Sequence, residues 1–346
     1  MVLMRNSFFK NNLLLNFLKK HKNNIEKSKY TLHQMFTLFL LSILSITCLY
    51  LFTFYGASSL VDRWHYQPNK ISQRYVDGSY STREDYHYDF IAFTSSVIPG
   101  YRFKGGNTES LGFGDHKLEL VFDDLFKEVN EFLDITIEKN QLEYDFLIQK
   151  NIYTHNQYSQ LPQNAEQEKD RLGEIHPLTY LSVFITLEES IALETYHEIE
   201  QDSTDIEFEW VGIDGDEDTV ATGFIPDVRG SELPFDRGPS YESYPLFNLM
   251  DHMLQSNQEK SLSWAEIYER HHKSRLRYLA DRPEFIEIFD LKSEDFEKQL
   301  EFLDQNGSRV FGFLVSGEAY DVRDVLVDFP ATVRHIEVKG ALPLKP

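Results

Sequence analysis

The densest group of potential metal ligands in the sequence is the acidic run Asp214–Asp218, which reads DGDED. Alternating carboxylates of this kind can coordinate Ca²⁺ through their oxygens. An EF-hand loop needs glycine at its sixth position and glutamate at its twelfth, but Thr219 and Ile225 stand there. We therefore expect a solvated acidic turn that follows a strand, and a weak calcium site is the alternative.

The twelve histidines form no recognisable zinc motif. His197–Gln201 lacks the second histidine of a His-Glu-x-x-His helix. His271 and His272 are adjacent and would point about 100° apart on a helix, so we expect both on an exposed helix face. His176 precedes a proline and is expected in a loop. The single cysteine, Cys48, excludes an intrachain disulfide and a cysteine-based zinc cluster.

Other reactive groups lack the surroundings that catalysis needs. Ser316 has no glycine two positions before it, as a Gly-x-Ser-x-Gly turn requires. The acid pairs Asp123–Asp124 and Glu188–Glu189 are expected at helix starts, where the helix dipole favours carboxylates. Gly105–Gly106 and Gly112–Gly114 have no following lysine, which argues against a phosphate loop. We expect no catalytic group, no cofactor and no metal, and hence a protein that is not an enzyme.

The overall charge narrows the range of partners. The chain has 346 residues, 41% of them hydrophobic, which is enough for one or two domains with cores. It carries 56 acidic residues against 34 Lys and Arg, for a net charge of -22. A surface this acidic repels phosphate backbones, so nucleic acid is not an expected partner.

One segment is predicted to span a membrane. No charged residue occurs from Tyr30 to Val61, and the 21 residues Phe36–Gly56 are almost entirely apolar. As a helix they would extend about 30 Å, the thickness of the hydrocarbon core of a bilayer. We assign residues 35–57 to a transmembrane helix. A cleaved signal peptide is the alternative, but its apolar run would be shorter.

Residues 1–34 form a basic arm. They hold seven Lys and Arg against Glu26, a net charge of +6, and this leaves -28 for the remainder. The positive-inside rule then predicts a cytoplasmic N-terminus and an extracytoplasmic C-terminal part. Within Ser7–His21, apolar residues recur at helical spacing and predict an amphipathic helix. Its face either lies on lipid or binds a cytoplasmic partner; the candidate contact residues are Phe9, Leu13, Leu14 and Phe17.

The part beyond the span is predicted to contain two modules. Residues 58–153 combine short apolar runs, such as Ile91–Phe93, with turn signals and are expected to be strand-rich. Within them, Phe126–Leu133 has helical spacing and weakly indicates a helix before a strand. Residues 154–176 are polar and are predicted to be a linker. Residues 177–340 form the distal domain.

The distal domain is predicted to be an α+β, ferredoxin-like split βαβ fold with a helical insertion at about 214–308. The expected strands and helices follow from alternation and from 3.6-residue spacing. The strands are Leu181–Leu187, Ile206–Trp210, Val310–Val315 and Val333–Val338. The helices are Glu188–Ile199 and Glu318–Phe329, with Leu246–Gln255, Trp264–Leu279 and Glu294–Leu303 in the insertion. Gly312 would allow a close backbone approach, and Gly317 would provide a turn with positive φ.

The most distinctive sequence motifs lie in Phe296–Gly307 and in the segment Val310–Gly317 that follows it. It holds an LxFL pattern at Leu300–Leu303 and glycines at 312 and 317. In these motifs and in the βαβ pattern of Thr179–Trp210, the chain resembles the sigma factor regulators, bacterial membrane proteins with an anti-sigma factor C-terminal domain. The segment from Leu38 to Lys127 is similar to their N-terminal module, but less specifically.

The resemblance implies a membrane-anchored regulator that couples an extracytoplasmic sensing domain to sigma-factor activity. Its implied partners are a sigma factor or another cytoplasmic regulator, membrane lipid, and an extracytoplasmic ligand of unknown identity. A tethered structural or adhesion module without signalling is the alternative, and an exported hydrolase is a third.

Overall fold

The computed structural model describes residues 31, 33–62, 64–70, 74–76, 79–81, 84–124, 129–138, 141–142, 153–226, 242–249, 262–327, 329 and 331–342. The chain divides into two compact units, Met1–Val61 and Asp62–Pro346. The mixture of helices and antiparallel sheets confirms the α+β class.

The first unit contains a long apolar helix, α1, over His33–Leu51. Its mean hydropathy is 1.9, none of it is buried, and it is long and apolar enough to cross a membrane. A π-helix over Phe52–Ala57 follows it, and α2 spans Ser58–Asp62. These helices coincide with most of the predicted span at 35–57.

The second unit begins with two small sheets. β1 (Arg74–Val76) and β2 (Ser79–Ser81) form a hairpin. The strands β3 (Tyr101–Gly112), β4 (Asp115–Asp124), β5 (Val129–Glu138) and β6 (Gln141–Leu142) form an antiparallel meander in that order. The predicted strand-rich character is therefore confirmed.

The helix predicted over Phe126–Leu133 is wrong where the structure describes it. Residues 129–133 belong to β5, which pairs with β4 in unbroken register from end to end. Residues 126–128 lie outside the described residues. Pairing along the whole strand satisfies the backbone of this segment, so its weak helical spacing does not decide its structure.

The helix α3 replaces the strand expected around Ile91–Phe93. It spans Asp85–Val97, and twelve of its thirteen side chains are buried. A helix that is covered on every side needs no polar stripe. Its sequence therefore lacks the 3.6-residue period that would have identified it.

A five-stranded antiparallel sheet forms the centre of the distal part, in the order β11-β7-β10-β8-β9. Its strands are β7 (Tyr180–Ala192), β8 (Ile206–Ile213), β9 (Thr222–Phe224), β10 (Arg309–Glu318) and β11 (Val333–Leu342). The helices around it are α4 (His155–Ser159), α5 (Ala165–Glu174), α6 (Leu193–Asp202), α7 (Trp264–Ala280), α8 (Pro283–Ile286), α9 (Ser293–Asn306) and α10 (Ala319–Val327). A 3₁₀ turn covers Glu287–Phe289. The central position of β10 confirms the strand predicted at Val310–Val315.

The strand β7 extends further than its alternation predicted. Glu188–Ala192 was expected to begin a helix, but this stretch continues the strand, and Ala192 pairs with Arg309 of β10. The N–H of Glu188 also donates to the carbonyl of Thr332 at 2.9 Å. Because pairing with β10 satisfies the backbone here, α6 starts only at Leu193.

The segment 154–176, predicted to be a linker, packs on the distal sheet. The ring of Tyr158 lies 5.3 Å from that of Phe184 in β7. The Asn164 side chain accepts a hydrogen bond from the N–H of Ile336 in β11 at 2.9 Å and donates to its carbonyl at 3.0 Å. Its few apolar residues therefore cover one face of the sheet, while the predicted module boundaries stay predictions.

The insertion between β8 and β10 is largely helical where it is described. α7 and α9 confirm the helices predicted at Trp264–Leu279 and Glu294–Leu303. The helix predicted at Leu246–Gln255 is wrong for 246–249, which form turns, and Leu246 has a φ of 58°. Residues 250–255 lie outside the described residues.

The two glycines of β10 differ in their surroundings. A Cβ at Gly312 would lie 2.5 Å from the carbonyl oxygen of Ile185 in β7, which confirms a close backbone approach. Gly317 lies within the strand without positive φ, so the predicted turn conformation is wrong. A Cβ at Gly317 would first meet the side chain of Ile206, at 3.0 Å.

Replacing Gly312 by alanine should therefore destabilise the protein more than replacing Gly317. We expect Gly312→Ala to cost about 1 to 3 kcal/mol, because the backbone of β7 must move. Urea unfolding of both variants in detergent, followed by far-UV circular dichroism, measures the difference. Equal midpoints for the two variants would contradict the close approach of β7 and β10.

Candidate functional site: the buried α3 interface

The helix α3 carries two buried acidic residues one turn apart, Asp85 and Asp89. The carboxylate of Asp89 accepts hydrogen bonds from the hydroxyls of Tyr66, at 2.8 Å, and Tyr278, at 2.7 Å. Arg282 faces both acids, with its Nε 3.5 Å from Asp89 and its Nη1 3.6 Å from Asp85. We call these five residues the Asp89 cluster.

The Asp89 cluster joins three separate stretches of the chain. Tyr66 lies in the loop four residues after α2, the two acids lie in α3, and Tyr278 and Arg282 lie at the junction of α7 and α8. The guanidinium of Arg282 is 4.9 Å from the centre of the Tyr278 ring. The Tyr66 ring lies 5.3 Å from that of Phe285 in α8. Aromatic rings therefore border the charged groups and limit access of water to them.

Burial dominates the electrostatics of the cluster. It raises the pKa of Asp89 to about 6, although Arg282 and the hydroxyls of Tyr278 and Tyr66 act to lower it. Burial also raises the pKa of Tyr66 well above its ordinary value. One guanidinium faces two carboxylates, so a proton on Asp89 would balance the charges of the cluster.

A second contact holds the other end of α3. The carbonyl of Ser95 accepts a hydrogen bond from the indole of Trp210 in β8 at 3.1 Å, and its hydroxyl accepts one from Arg275 in α7. Arg275 also donates to the carbonyl of Phe247 at 3.0 Å and lies over its ring. Both ends of α3 are thus bonded to the distal part.

The helix α3 contacts both the meander and the distal part. The helix packs against β3 of the meander and against β9 and α7 of the distal part. A shift of α7 or α8 would change the partners of Asp89 and so reach Tyr66, close to the start of the second unit. Packed interfaces with directional bonds tend to change between discrete arrangements rather than deform gradually.

None of these residues stands out in the sequence as a site residue. The available signal was the run Asp85–Phe90, DYHYDF, in which two acids at helical spacing stand among aromatic residues. Charged residues among aromatic ones indicate a buried polar site only once their partners are known. The partner Tyr278 lies 189 positions further along the chain.

The acidic run Asp214–Asp218 forms a turn after β8, as expected from the sequence. Asp214 accepts a hydrogen bond from the Ser190 hydroxyl at 2.5 Å, and burial raises its pKa. Asp216 accepts from the backbone N–H of Asp218 at 3.1 Å. Among the described residues, no group of three or more His, Cys, Asp or Glu is arranged to hold a metal ion.

The prediction that His271 and His272 are exposed is wrong. Both are buried, because α7 packs between α6, α9 and α3 and so has no wide solvent face. Nδ1 of His271 donates to the carbonyl of Leu246 at 2.8 Å, and burial lowers its pKa well below the ordinary value. Burial lowers the pKa of His272 to about 3. His176 lies in an exposed loop, as predicted.

The predicted acid pairs do not stand at helix starts. Asp123–Asp124 ends β4, where Lys104 bonds Asp123 at 2.7 Å, and Glu188–Glu189 lies in β7. The candidate contact residues of the arm, Phe9, Leu13, Leu14 and Phe17, lie outside the described residues.

The described residues of the distal part form several cavities. A groove of about 740 Å³ lies between α6 and α10 and has an apolar floor with an acidic rim. Its rim residues are Glu198, Asp202, Asp205, Asp321 and Asp324. A pocket of about 420 Å³ adjoins the acidic turn and includes His155 and Arg334. Acidic rims favour cationic ligands or hydrogen-bond donors.

A comparison with known families gives a match in the distal part. Residues 172–326 match the family model described as sigma factor regulator C-terminal. This segment is therefore similar to sigma factor regulator C-terminal domains. The match confirms the resemblance found in the sequence, and the matched segment contains Tyr278 and Arg282, whereas Tyr66 and α3 precede it. Neither curated proteins nor solved structures give a significant match.

Replacing Arg282 should destabilise the contact between α3 and the segment that matches the family model. In Arg282→Met two buried carboxylates lose the guanidinium that faces both, at an expected cost of about 3 to 5 kcal/mol. Arg171→Met is the matched control, because Arg171 is largely exposed and pairs with Glu168 on the surface. Urea unfolding of both variants measures the costs, and equal losses would contradict the role of Arg282.

The stability of the protein should depend on pH through Asp89. The folded-state pKa of about 6 lies above the ordinary 3.8, so the folded protein binds the proton more tightly. The stabilising contribution of that proton is complete below about pH 3.8 and is lost as the pH rises through 6. Relative to Asp89→Asn, the wild-type protein should therefore gain stability from pH 7 to pH 5 in urea titrations. A constant difference between the two proteins would contradict the raised pKa.

Proposed function

We propose that the protein is a single-pass membrane regulator of the anti-sigma-factor type, with its N-terminal arm in the cytoplasm and the second unit outside. The observation that carries this proposal is the sigma factor regulator C-terminal domain at residues 172–326. The helix α1, long and apolar enough to cross a bilayer, supports membrane anchoring. The arm's net charge of +6 supports the orientation.

We assign the distal sheet to a split βαβ, ferredoxin-like arrangement. The support is the order β11-β7-β10-β8, in which the first and third of the four strands in chain order lie at the centre. The helices α6 and α10 connect the two strand pairs, and β9 extends the edge. In this arrangement α7, α8 and α9 form the insertion.

The proposed mechanism is a shift between two arrangements of the extracytoplasmic unit. A ligand changes such an equilibrium only if it binds one arrangement better than the other. The groove between α6 and α10 offers a surface for an extracytoplasmic ligand, and α6 packs against α7. The route to the membrane side would run through α7 and the Asp89 cluster. The role is regulatory, and no catalytic step is part of it.

The proposal places the cytoplasmic contact on the apolar face of the arm. Replacing Leu14 and Phe17 by Asp adds two charges to this face and should reduce co-purification of the sigma factor with the protein at least tenfold, about 1.4 kcal/mol. Quantitative pull-down of the full chain from detergent extracts measures the effect.

The matched control is the double variant Asn11→Asp, Asn12→Asp. It adds the same charge to the same arm, but on the other side of the predicted helix, and should keep the partner. Equal binding by both double variants would exclude the proposed face. If no sigma factor co-purifies with the wild-type protein, the structural or adhesion module becomes the better interpretation.

A further inference from the structure

Two large apolar side chains are exposed near the start of the second unit. Trp64 is 81% exposed and Leu111, next to the turn between β3 and β4, is 54% exposed. Tryptophan at this exposure is costly in water, because a large apolar surface stays hydrated. Exposure to water alone therefore does not explain why a tryptophan stands at position 64.

The turn between β3 and β4 is fastened to the segment that contains Trp64. We call Leu111–Gly114 the hairpin tip. The N–H of Gly114 donates to the carboxylate of Asp62 at 2.7 Å. A Cβ on Gly114 would lie 2.8 Å from the ring of His65, so only glycine permits this contact. Asp62 and His65 bracket Trp64, and they hold the hairpin tip beside it.

In sequence, Trp64 follows the predicted span at 35–57 by only seven residues. Asp62 follows Ala57 by five residues, which within a helix corresponds to about 8 Å. Trp64 is two residues further, at most about 7 Å more. The headgroup layer beyond the hydrocarbon core is about 5 to 8 Å thick on each side, and a tryptophan side chain can reach it from this distance.

We propose that Trp64 and the hairpin tip form a membrane-contacting surface that inserts into the headgroup region of the bilayer spanned by α1. The proposal rests on the membrane anchoring stated above. Tryptophan prefers this layer because its ring is apolar while its N–H can bond to headgroups and water. Leu111 adds apolar surface that suits the part of the headgroup region next to the acyl chains.

Charge determines which lipid suits this contact. The part of the chain beyond the arm carries a net charge of -28, which repels anionic lipid at long range. A short-range apolar contact with zwitterionic lipid avoids that repulsion. Tyr66, two residues beyond Trp64, belongs to the Asp89 cluster. The membrane contact would therefore hold the membrane-side end of the proposed route in place.

Quenching by brominated lipid tests the contact directly. The full chain is reconstituted into phosphatidylcholine vesicles, either plain or brominated near the headgroup end of the acyl chains. Bromine quenches only tryptophan at bilayer depth, so emission should fall by up to one third, since the chain has three tryptophans. Trp64→Phe should remove this fall, because Trp210 is buried in the distal part and Trp264 is packed against its core.

A pair of leucine variants tests the hairpin tip. Leu111→Asp should reduce the quenching of Trp64 at least twofold, whereas Leu178→Asp, at another exposed leucine, should leave it unchanged. Equal effects of the two variants would overturn the role of the tip. Far-UV circular dichroism checks that both variants are folded.

Flotation of the vesicles separates this proposal from the membrane anchoring. Protein that floats with the vesicles but shows no quenching overturns the membrane-contacting surface and leaves the anchoring in place. If Trp64→Cys, made together with Cys48→Ser, then forms a crosslinked dimer, a second copy covers the surface instead. Protein that fails to float overturns the anchoring and this proposal together.

Discussion

The structure of the second unit depends on how a buried carboxylate at its centre is satisfied. Asp89 is fully buried, and an unpaired charge there would cost several kcal/mol. Two tyrosine hydroxyls and one guanidinium must therefore converge on it from three stretches of chain. These contacts bring together the loop after α2, the helix α3 and the α7–α8 junction.

The need to satisfy the buried charge of Asp89 affects both the stability of the protein and the number of arrangements that α3 can adopt. Replacing a buried ionic cluster by apolar residues is often neutral or stabilising, so its presence does not by itself indicate greater stability. Directional bonds do, however, favour a defined arrangement of α3 over the many that apolar packing would allow. A regulator that responds to a ligand needs such defined arrangements, because a ligand can only shift an equilibrium between them. The Asp89 cluster joins the segment that matches the family model to the stretch that precedes it.

Both faces of the distal sheet are covered, so the alternation of apolar residues along a strand identifies only one of its two buried faces. Leu181, Val183 and Ile185 line one face of β7, as their alternation predicted, but Phe184 on the other face is buried too. Tyr158 and Leu161 cover that second face together with Trp210 and Phe311. The segment 154–176 needs only a few aromatic and apolar residues to cover this second face. The rest of the segment is polar, so its composition is similar to that of a linker.

The sequence by itself determined the features that depend on local pattern. These are the apolar helix α1, the strand β10, the helices α7 and α9, the acidic turn after β8 and the resemblance to sigma factor regulator C-terminal domains. Each follows from residues within about twenty positions of one another, through period, length or composition.

The tertiary structure alone decided the features that depend on distant partners. α3 is a helix without a polar face because other elements surround it, and His271 and His272 are buried because α7 lies between three helices. β7 continues past Leu187 because β10, more than a hundred residues away, supplies the hydrogen bonds. The Asp89 cluster combines residues up to 189 positions apart in sequence, and no local pattern records which of them will meet.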